Sequence, residues 1–180
     1  MNSIHVGAPT IPGDVQQIIN VYYYSWLATY VNEEVGITRN DIEAFFKDRE
    51  QQSEIDRRAK RLSNLPPNEH VLVAKDSNKV IGICRVVIRE EYNQLQAIYL
   101  LPEYQGRGIG TKLWTEAKKF FDSSKDTIVQ VATYNTNAIN FYEKLGFVDT
   151  GKRFTEERHR MPVSGVLIPE MEMCLSTGLM

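Results

Sequence analysis

The sequence predicts an α/β (α+β) fold with a mixed, mostly antiparallel sheet of about six to seven strands, flanked by about four helices. The first observation is a group of short β-rich runs between residues 71 and 101, separated by polar turns, which predicts an antiparallel meander. The second is the order strand, glycine-rich loop, helix, strand between residues 95 and 133, which predicts a right-handed parallel crossover. A chain of 180 residues suits one domain, so we expect residues 1–180 to fold as a unit.

Before the meander, the chain is predicted to be mainly helical. Residues 4–6 form a short strand candidate, and the apolar residues from Val15 to Trp26 recur at helical spacing. Thr38 and Asp41 then form a loose capping box. The charged segment that follows is predicted as one long surface helix that ends before Pro66.

The central part of the chain alternates between strand and helix patterns. Strands are predicted at Val71–Ala74, Val80–Ile88 and Leu95–Leu101. An apolar stripe from Ile109 to Phe121 predicts a helix, and Ile128–Thr133 predicts the next strand.

The C-terminal part completes the sheet. A helical stripe over residues 138–145 is closed by Gly146, the residue type that ends helices most readily. The last strands are predicted at residues 147–150 and 167–175.

Composition and charge exclude several classes of protein. The chain is 42% hydrophobic and 24% charged with a formal net charge of −2, which is typical of globular proteins. Nucleic acid is not expected as a partner, because phosphate binding needs a dense basic surface. No run approaches the roughly 20 apolar residues of a membrane span, and the first residues lack a signal-peptide pattern. We expect a cytoplasmic monomer or homodimer without a membrane partner.

The two cysteines do not predict a metal site. Cys84 and Cys174 lie in apolar runs, and neither has a second Cys or a His at metal-ligand spacing. We expect buried free thiols and no metal.

The loop from Pro102 to Thr111 is the best candidate for an anion site. A helix N-terminus offers unpaired N–H groups and partial positive charge, glycines let the backbone approach an anion closely, and Arg107 adds a cation. A tight strand-to-helix turn uses the same residues, so the loop alone does not decide. The P-loop order is absent, since Lys112 follows Thr111, and Thr111 also stands where the dinucleotide fingerprint requires its third glycine.

Two segments in sequence carry a resemblance to a known family. Residues Ile98–Gly110 resemble the acetyl-CoA motif of the GNAT superfamily of N-acetyltransferases, and Asn135–Phe147 resemble its later Asn, Ala, Phe-Tyr, Gly-Phe segment. With the element order, the resemblance covers nearly the whole chain. It implies a single GNAT-like acetyltransferase domain that uses acetyl-CoA as co-substrate.

The resemblance also implies where acetyl-CoA binds. Backbone groups of Ile98 and Leu100 would pair with the pantetheine arm, residues 106–111 would wrap the pyrophosphate, and Asn135 would bind the pantetheine portion. The implied cofactor-binding residues are Ile98, Tyr99, Leu100, Gln105, Gly106, Arg107, Gly108, Ile109, Gly110, Thr111, Asn135 and Tyr142.

Acyl transfer needs an oxyanion donor and an acid. The Leu100 amide is the predicted oxyanion contact. Tyr142 is the predicted general acid, because a phenol of pKa about 10 is protonated at neutral pH and can donate to a thiolate. Spacing alone favours a core aromatic for Tyr142, and the resemblance reverses this preference. For Asn135 and Asn137 the alternative is helix capping.

A base would also help, because a lysine-like amine of pKa about 10.4 is neutral in roughly one molecule per thousand at neutral pH. Some relatives use a Glu five residues before the motif Asn, but Gln130 stands there and cannot accept a proton. Glu91 is the predicted substitute, acting through water, with a solvated turn carboxylate as the alternative.

The acceptor of the family approaches between the first two helices and the final strands. The predicted substrate-binding residues are Trp26, Tyr30 and Glu33. Glu33 and Glu34 would attract a cation, whereas Arg153, Arg158 and Arg160 would hold a carboxylate or face water.

We therefore expect N-acetylation of a primary amine on a small molecule such as a polyamine or amino-sugar. The stretch of residues 25–30 is similar to polyamine acetyltransferases. Acetylation of a protein or peptide amine, and a non-catalytic acyl-CoA-binding module, are the alternatives.

Overall fold

The computed structural model describes residues 4–179 and contains one seven-stranded sheet in the order β1-β2-β3-β4-β5-β7-β6. The strands are β1 (Ile4–Gly7), β2 (Glu69–Asp76), β3 (Lys79–Ile88), β4 (Asn93–Leu100), β5 (Thr127–Ala132), β6 (Val148–Phe154) and β7 (Glu170–Leu175). The α-helices are α1 (Val15–Tyr30), α2 (Arg39–Phe45), α3 (Gln52–Ser63), α4 (Ile109–Ala117) and α5 (Thr136–Lys144). All neighbouring strands are antiparallel except the parallel pair β4–β5, which confirms the predicted meander and crossover.

The prediction of one long second helix is wrong, because the segment forms α2 and α3, and the described part of the chain therefore has five α-helices rather than about four. The capping box of Thr38 and Asp41 starts α2 as predicted. The chain leaves the helical conformation at Phe46, whose ring packs edge-on against Tyr23 and Trp26 with centroids 5.7 and 5.4 Å apart. Because α3 has no buried residue, a straight continuation would not serve both the apolar contact and the charged surface.

The parallel pairing of β4 with β5 is short. It joins Asn93 to Thr127, Gln94 to Ile128 and Leu95 to Val129, and it ends there. The buried Asn93 side chain fixes this junction, since its Nδ2 donates to the carbonyls of Asp122 (2.8 Å) and Lys125 (3.0 Å). Strand β5 continues to Ala132 in register with β7, so β4 and β5 separate beyond Leu95.

Helices α4 and α5 follow the two strands that separate. Helix α4 buries Ile109, Leu113, Trp114 and Ala117 in the main core. Its Gly110 lies against the Phe141 ring of α5, where an added Cβ would be 3.3 Å from ring atoms. The close approach places both helix starts at the same end of the sheet.

Two predictions from the sequence concern membrane spans and the cysteine thiols. Within residues 4–179, no helix is both long and apolar enough to cross a bilayer. Cys84 is a buried free thiol whose pKa is raised by burial, whereas Cys174 is a free thiol that is only partly buried.

Asp41 connects α2 to the loop that precedes β7. Its Oδ1 accepts the N–H groups of Ser164 (2.7 Å) and Val163 (3.1 Å), and its Oδ2 accepts the Thr38 N–H (2.9 Å). The side chain is fully buried. Burial alone would raise the pKa of Asp41, but these hydrogen bonds lower it to about 2.

We predict that Asp41→Asn lowers the free energy of unfolding at pH 7 by about 1–3 kcal/mol, because buried donors lose their acceptor. The pKa of Asp41 is lower in the folded chain, so its contribution is present above the unfolded value of 3.8 and is lost as the pH falls towards about 2. The difference between wild type and variant should therefore shrink from pH 4 to pH 2 in urea titrations. The exposed Asp56→Asn is the control, and an equal loss there would contradict the role of Asp41.

Candidate active site

The gap between β4 and β5 exposes one edge of β4. The Leu101 N–H donates to the Ile81 carbonyl of β3 (2.9 Å), and strand alternation then turns the peptide groups of Ile98 and Leu100 away from β3. The Leu100 carbonyl accepts the Ser25 hydroxyl of α1 (3.0 Å), in agreement with this orientation. The backbone donors of Ile98 and Leu100 thus face the gap, where an extended ligand can pair with them.

A glycine turn lies at the end of this open edge. Gly106 and Gly108 have φ angles of +73° and +75°, and a Cβ at either position would meet no atom within 4 Å. Gly108 caps α4, so the first N–H groups of the helix have no partner within it. The exposed Arg107 guanidinium lies 5.3 Å from the centre of the Tyr104 ring. The turn therefore has the donors, charge and open space that a diphosphate requires.

Tyr142 is buried on α5, with its ring 5.6 Å from the Phe147 ring. Burial raises its pKa, and the Tyr99 hydroxyl and Cys84 thiol add to the rise. The phenol is therefore protonated at neutral pH and is able to donate a proton. The core-aromatic interpretation and the acid interpretation are both compatible with this position.

Asn135 caps α5 through its Oδ1, which accepts the Ala138 N–H at 3.1 Å. The capping interpretation is confirmed for Asn135, whereas its contact with a cofactor stays a prediction.

Glu91 does not lie near this site, so the prediction that it acts as the base is wrong. It is exposed in the bend between β3 and β4, before the start of β4 at Asn93. Leu100 is at the opposite end of that strand, and at a rise of about 3.3 Å per residue the strand from Asn93 to Leu100 alone spans about 23 Å. A carboxylate at that distance cannot serve the acyl group, even through one water.

On the α1 side of the sheet, tyrosines connect the helix to β4. The hydroxyl groups of Tyr30 and Tyr99 are 2.9 Å apart, and the rings of Tyr22 and Tyr99 pack edge to face at 5.4 Å. Burial raises the pKa values of Tyr30 and Tyr99. Both therefore stay protonated and link the acceptor side to the open strand edge.

A cleft of about 340 Å³ begins beside these tyrosines, between α1, α2, α3 and the loop before β7. We call it the acceptor cleft. Trp26 lines it, whereas Glu33 lies exposed in the turn after α1 and is not among its lining residues. The cleft is lined chiefly by aromatic and arginine side chains, namely Tyr22, Trp26, Phe45, Phe46, Arg57, Arg58, Arg61, Arg85 and Arg158.

The three arginines predicted at the acceptor side have different places. Arg158 lines the cleft, whereas exposed Arg153 and Arg160 pair with Asp149 and Glu157. Of the three, Arg158 is the one that lines the cleft, and it also pairs with Glu156.

The sequence profile of the acetyltransferase (GNAT) family matches residues 35–147, which include both sides of the gap and the glycine turn. The chain belongs to the GNAT acetyltransferase family. An uncharacterized N-acetyltransferase of Methanocaldococcus jannaschii is 36% identical to this GNAT chain over 77 residues. The matched part is 42% of this chain and 32% of that relative, so the similarity spans about a third of the relative's length.

Solved structures of GNAT enzymes share the fold. The PaiA N-acetyltransferase of Thermoplasma acidophilum, solved in complex with coenzyme A, has a TM-score of 0.68 at 23% identity, covering 94% of this chain and 98% of that one. A variant of the spermidine N-acetyltransferase SpeG of Vibrio cholerae has a TM-score of 0.61 at 20% identity, covering 96% and 92%. These matches confirm the predicted GNAT-like fold.

Three residues of the candidate site were not singled out from the sequence: Ser25, His159 and Glu170. Ser25 is buried against the Leu100 carbonyl, His159 lines the acceptor cleft, and Glu170 is buried behind it. The run Glu170-Met171-Glu172-Met173 carried a signal, because its alternation puts both carboxylates on one face of β7.

We predict that Gly108→Ala weakens acetyl-CoA binding at least about tenfold, because a side chain in the left-handed region costs roughly 1–2 kcal/mol and displaces the turn. Gly151→Ala is a matched control, since Gly151 also has a positive φ of +82° with no atom near its Cβ position. It lies in β6, away from the gap. Calorimetric titration of both variants with acetyl-CoA and CoA tests this, and equal affinities would contradict the assignment of the turn.

Proposed function

We propose that the protein is an acetyl-CoA-dependent N-acetyltransferase that acetylates a primary amine of a small molecule, with residues 1–180 acting as one domain. The observation that carries the proposal is the open edge of β4 leading directly into the glycine turn at the start of α4. A ligand with an amide-rich arm and a diphosphate matches both parts, and coenzyme A has this form. The coenzyme A complex of the Thermoplasma relative supports the same donor.

In this proposal, different residues of the chain act in different steps of the reaction. The Leu100 N–H, which faces the gap, stabilises the oxyanion as the amine attacks the thioester carbonyl. The carbon–sulfur bond breaks, and the Tyr142 hydroxyl donates its proton to the departing thiolate. The Ser25 hydrogen bond to the Leu100 carbonyl holds the Leu100–Leu101 peptide, which follows the oxyanion donor, against α1.

The charged residues of the acceptor cleft indicate which class of amine it favours. Arg57 and Arg58 pair with Glu54, Arg61 and Arg85 pair with Glu69, and Arg158 pairs with Glu156. Five guanidinium groups against three carboxylates leave a positive surplus. Because a polyamine has several positive charges, the surplus favours an amino-sugar, or another amine that also carries an anionic group. The spermidine acetyltransferase neighbour is the observation that keeps polyamines as candidates.

Release of free CoA from acetyl-CoA in the presence of an amine panel tests the function. The panel contains spermidine, glucosamine, an amino-sugar phosphate, and a peptide with free α- and ε-amino groups. We expect turnover with a small amine, fastest with the phosphorylated amino-sugar. Preference for the peptide would move the function to protein acetylation, and tight acetyl-CoA binding without turnover on any amine would indicate a binding module.

We predict that Tyr142→Phe lowers kcat at least about 100-fold, within the usual contribution of a general acid, while the affinity for acetyl-CoA changes little. Tyr24→Phe is the control, because Tyr24 is half exposed on α1 and its ring contacts Tyr23. Steady-state kinetics with the best amine of the panel, together with calorimetric titration of acetyl-CoA, measure the two effects. Unchanged kcat in the Tyr142 variant would leave the core-aromatic interpretation.

A further inference from the structure

Three buried polar atoms without a hydrogen-bond partner lie together beside the acceptor cleft. Among the described residues, the buried side-chain N and O atoms that lack a partner are Trp26 Nε1, His159 Nδ1 and Glu170 Oε2. The Trp26 and His159 rings pack edge to face at 6.0 Å, and His159 Nδ1 is 3.5 Å from Glu170 Oε2. Buried polar groups are normally satisfied, so their concentration at one place indicates a site for a ligand or a reaction.

Glu170 stands on β7, next to the end of β5 and separated by that strand from the gap between β4 and β5. It pairs with Ala132 at the end of β5, just past the point where β4 and β5 have separated. Its carboxylate lies near Tyr30 and Tyr134, since it adds to burial in raising the pKa of both, that of Tyr134 to about 12. Tyr30 in turn contacts the Tyr99 hydroxyl on β4. Glu170 is therefore connected to β4 through Tyr30 and Tyr99.

The neighbouring carboxylate on the same face of β7 is already engaged. Glu172 pairs with Gln130, accepts Lys152 Nζ at 2.9 Å and accepts the Thr150 hydroxyl at 3.2 Å. Among residues 4–179, Glu170 has His159 as its one partner within ion-pair distance. Of the two, Glu170 is the carboxylate left to act on another group.

His159 connects Glu170 to the cleft. Its side chain is 25% exposed, yet its Nδ1 is buried towards Glu170, so the opposite edge of the ring is the accessible one. The ring lines the acceptor cleft together with Trp26 and Tyr22. A carboxylate behind an imidazole, with the far nitrogen turned to the substrate, is the arrangement that orients a general base.

We propose that His159 is the general base for the acceptor amine and that Glu170 positions its imidazole. The assignment rests on the proposed N-acetyltransferase function and replaces the base that Gln130 cannot provide. The 3.5 Å separation is long for a hydrogen bond, and such contacts shorten when substrate binds.

The proton balance is complete with groups already named. His159 takes one proton from the acceptor ammonium, and the neutral amine then forms the new carbon–nitrogen bond. The nitrogen loses a second proton to solvent as the amide forms. The thiolate gains one proton from Tyr142, and solvent returns an equivalent proton to Tyr142. The proton on His159 passes to solvent after product release, so each turnover yields one amide, one thiol and one free proton.

The charges around His159 come from three directions. Glu170 faces it from β7, and Glu156 and Arg158 flank it on its own loop. Across the cleft, Arg57 and Arg58 of α3 pair with Glu54. The guanidinium groups disfavour a second cation nearby, and Glu170 offsets this by stabilising the imidazolium that forms.

The test uses acceptors that differ mainly in basicity: ethylamine and its mono-, di- and trifluorinated analogues, assayed at one neutral pH. Trifluoroethylamine is already neutral, so it needs no base. We expect His159→Gln to lower kcat/KM for ethylamine about 100-fold and for trifluoroethylamine less than about threefold. Glu170→Gln should show the same graded pattern, with a loss of about tenfold in kcat/KM for ethylamine. A merely structural defect would lower kcat/KM equally for all four amines. Arg160→Gln, a change in the same loop outside the cleft, is the control.

The outcomes separate the two proposals. If wild type acetylates none of the panel or series amines, the N-acetyltransferase function itself fails. If wild type is active and His159→Gln lowers kcat/KM equally for all four amines, or leaves it unchanged, the base assignment is overturned.

The carboxylate and imidazole atoms of Glu156, His159 and Glu170 also lie within 4.8 Å of one another, as a metal ion would require. Loss of wild-type activity with EDTA and recovery with Zn²⁺ would assign the cluster to a metal and likewise overturn the base.

Discussion

The early end of the β4–β5 pairing is the constraint on which the proposed site depends. Asn93 fixes the two strands at one end through hydrogen bonds to the turn before β5, and the register stops two residues later at Leu95. Beyond that point, β4 keeps β3 as its partner and β5 keeps β7. Strands that separate inside a sheet leave backbone donors without partners, a cost that a bound ligand with amide groups can offset.

The same separation sets the two faces of the site. Tyr99 points to the α1 side, where it meets Tyr22 and Tyr30, while Leu100 packs towards α4, where an added Cβ at Gly110 would lie 3.7 Å from its Cδ1. Adjacent residues on one strand therefore serve different halves of the proposed reaction. The donor half lies along the peptide edge and the glycine turn, and the acceptor half lies above Tyr99.

Much of the fold could be predicted because its signals are local. The meander follows from alternation and turns, and the crossover follows from the glycine turn between a strand and an amphipathic helix. The break between α2 and α3 could not be predicted in this way. It depends on Phe46 turning towards Tyr23 and Trp26, which are about twenty residues away. Tertiary contacts of this kind override a continuous helical pattern.

The donor side of the site could be predicted from sequence motifs, but the acceptor side could not. Glu91 is near β4 in sequence, yet it lies at the wrong end of the strand. His159 and Glu170 are eleven residues apart and meet only because the loop before β7 folds back over the sheet. A residue whose role depends on such a return has no fixed spacing to a motif, so sequence alone gives little indication of it.

Asp41 has a further consequence for how the molecule can vary. Through its bonds to Val163 and Ser164, it joins α2 to the loop that carries Arg158 and His159. The cleft wall and the proposed base thus form one mechanical unit, attached to the sheet but separate from the glycine turn. A change of acceptor would require α2 and this loop to be altered together, whereas the glycine turn could stay unchanged.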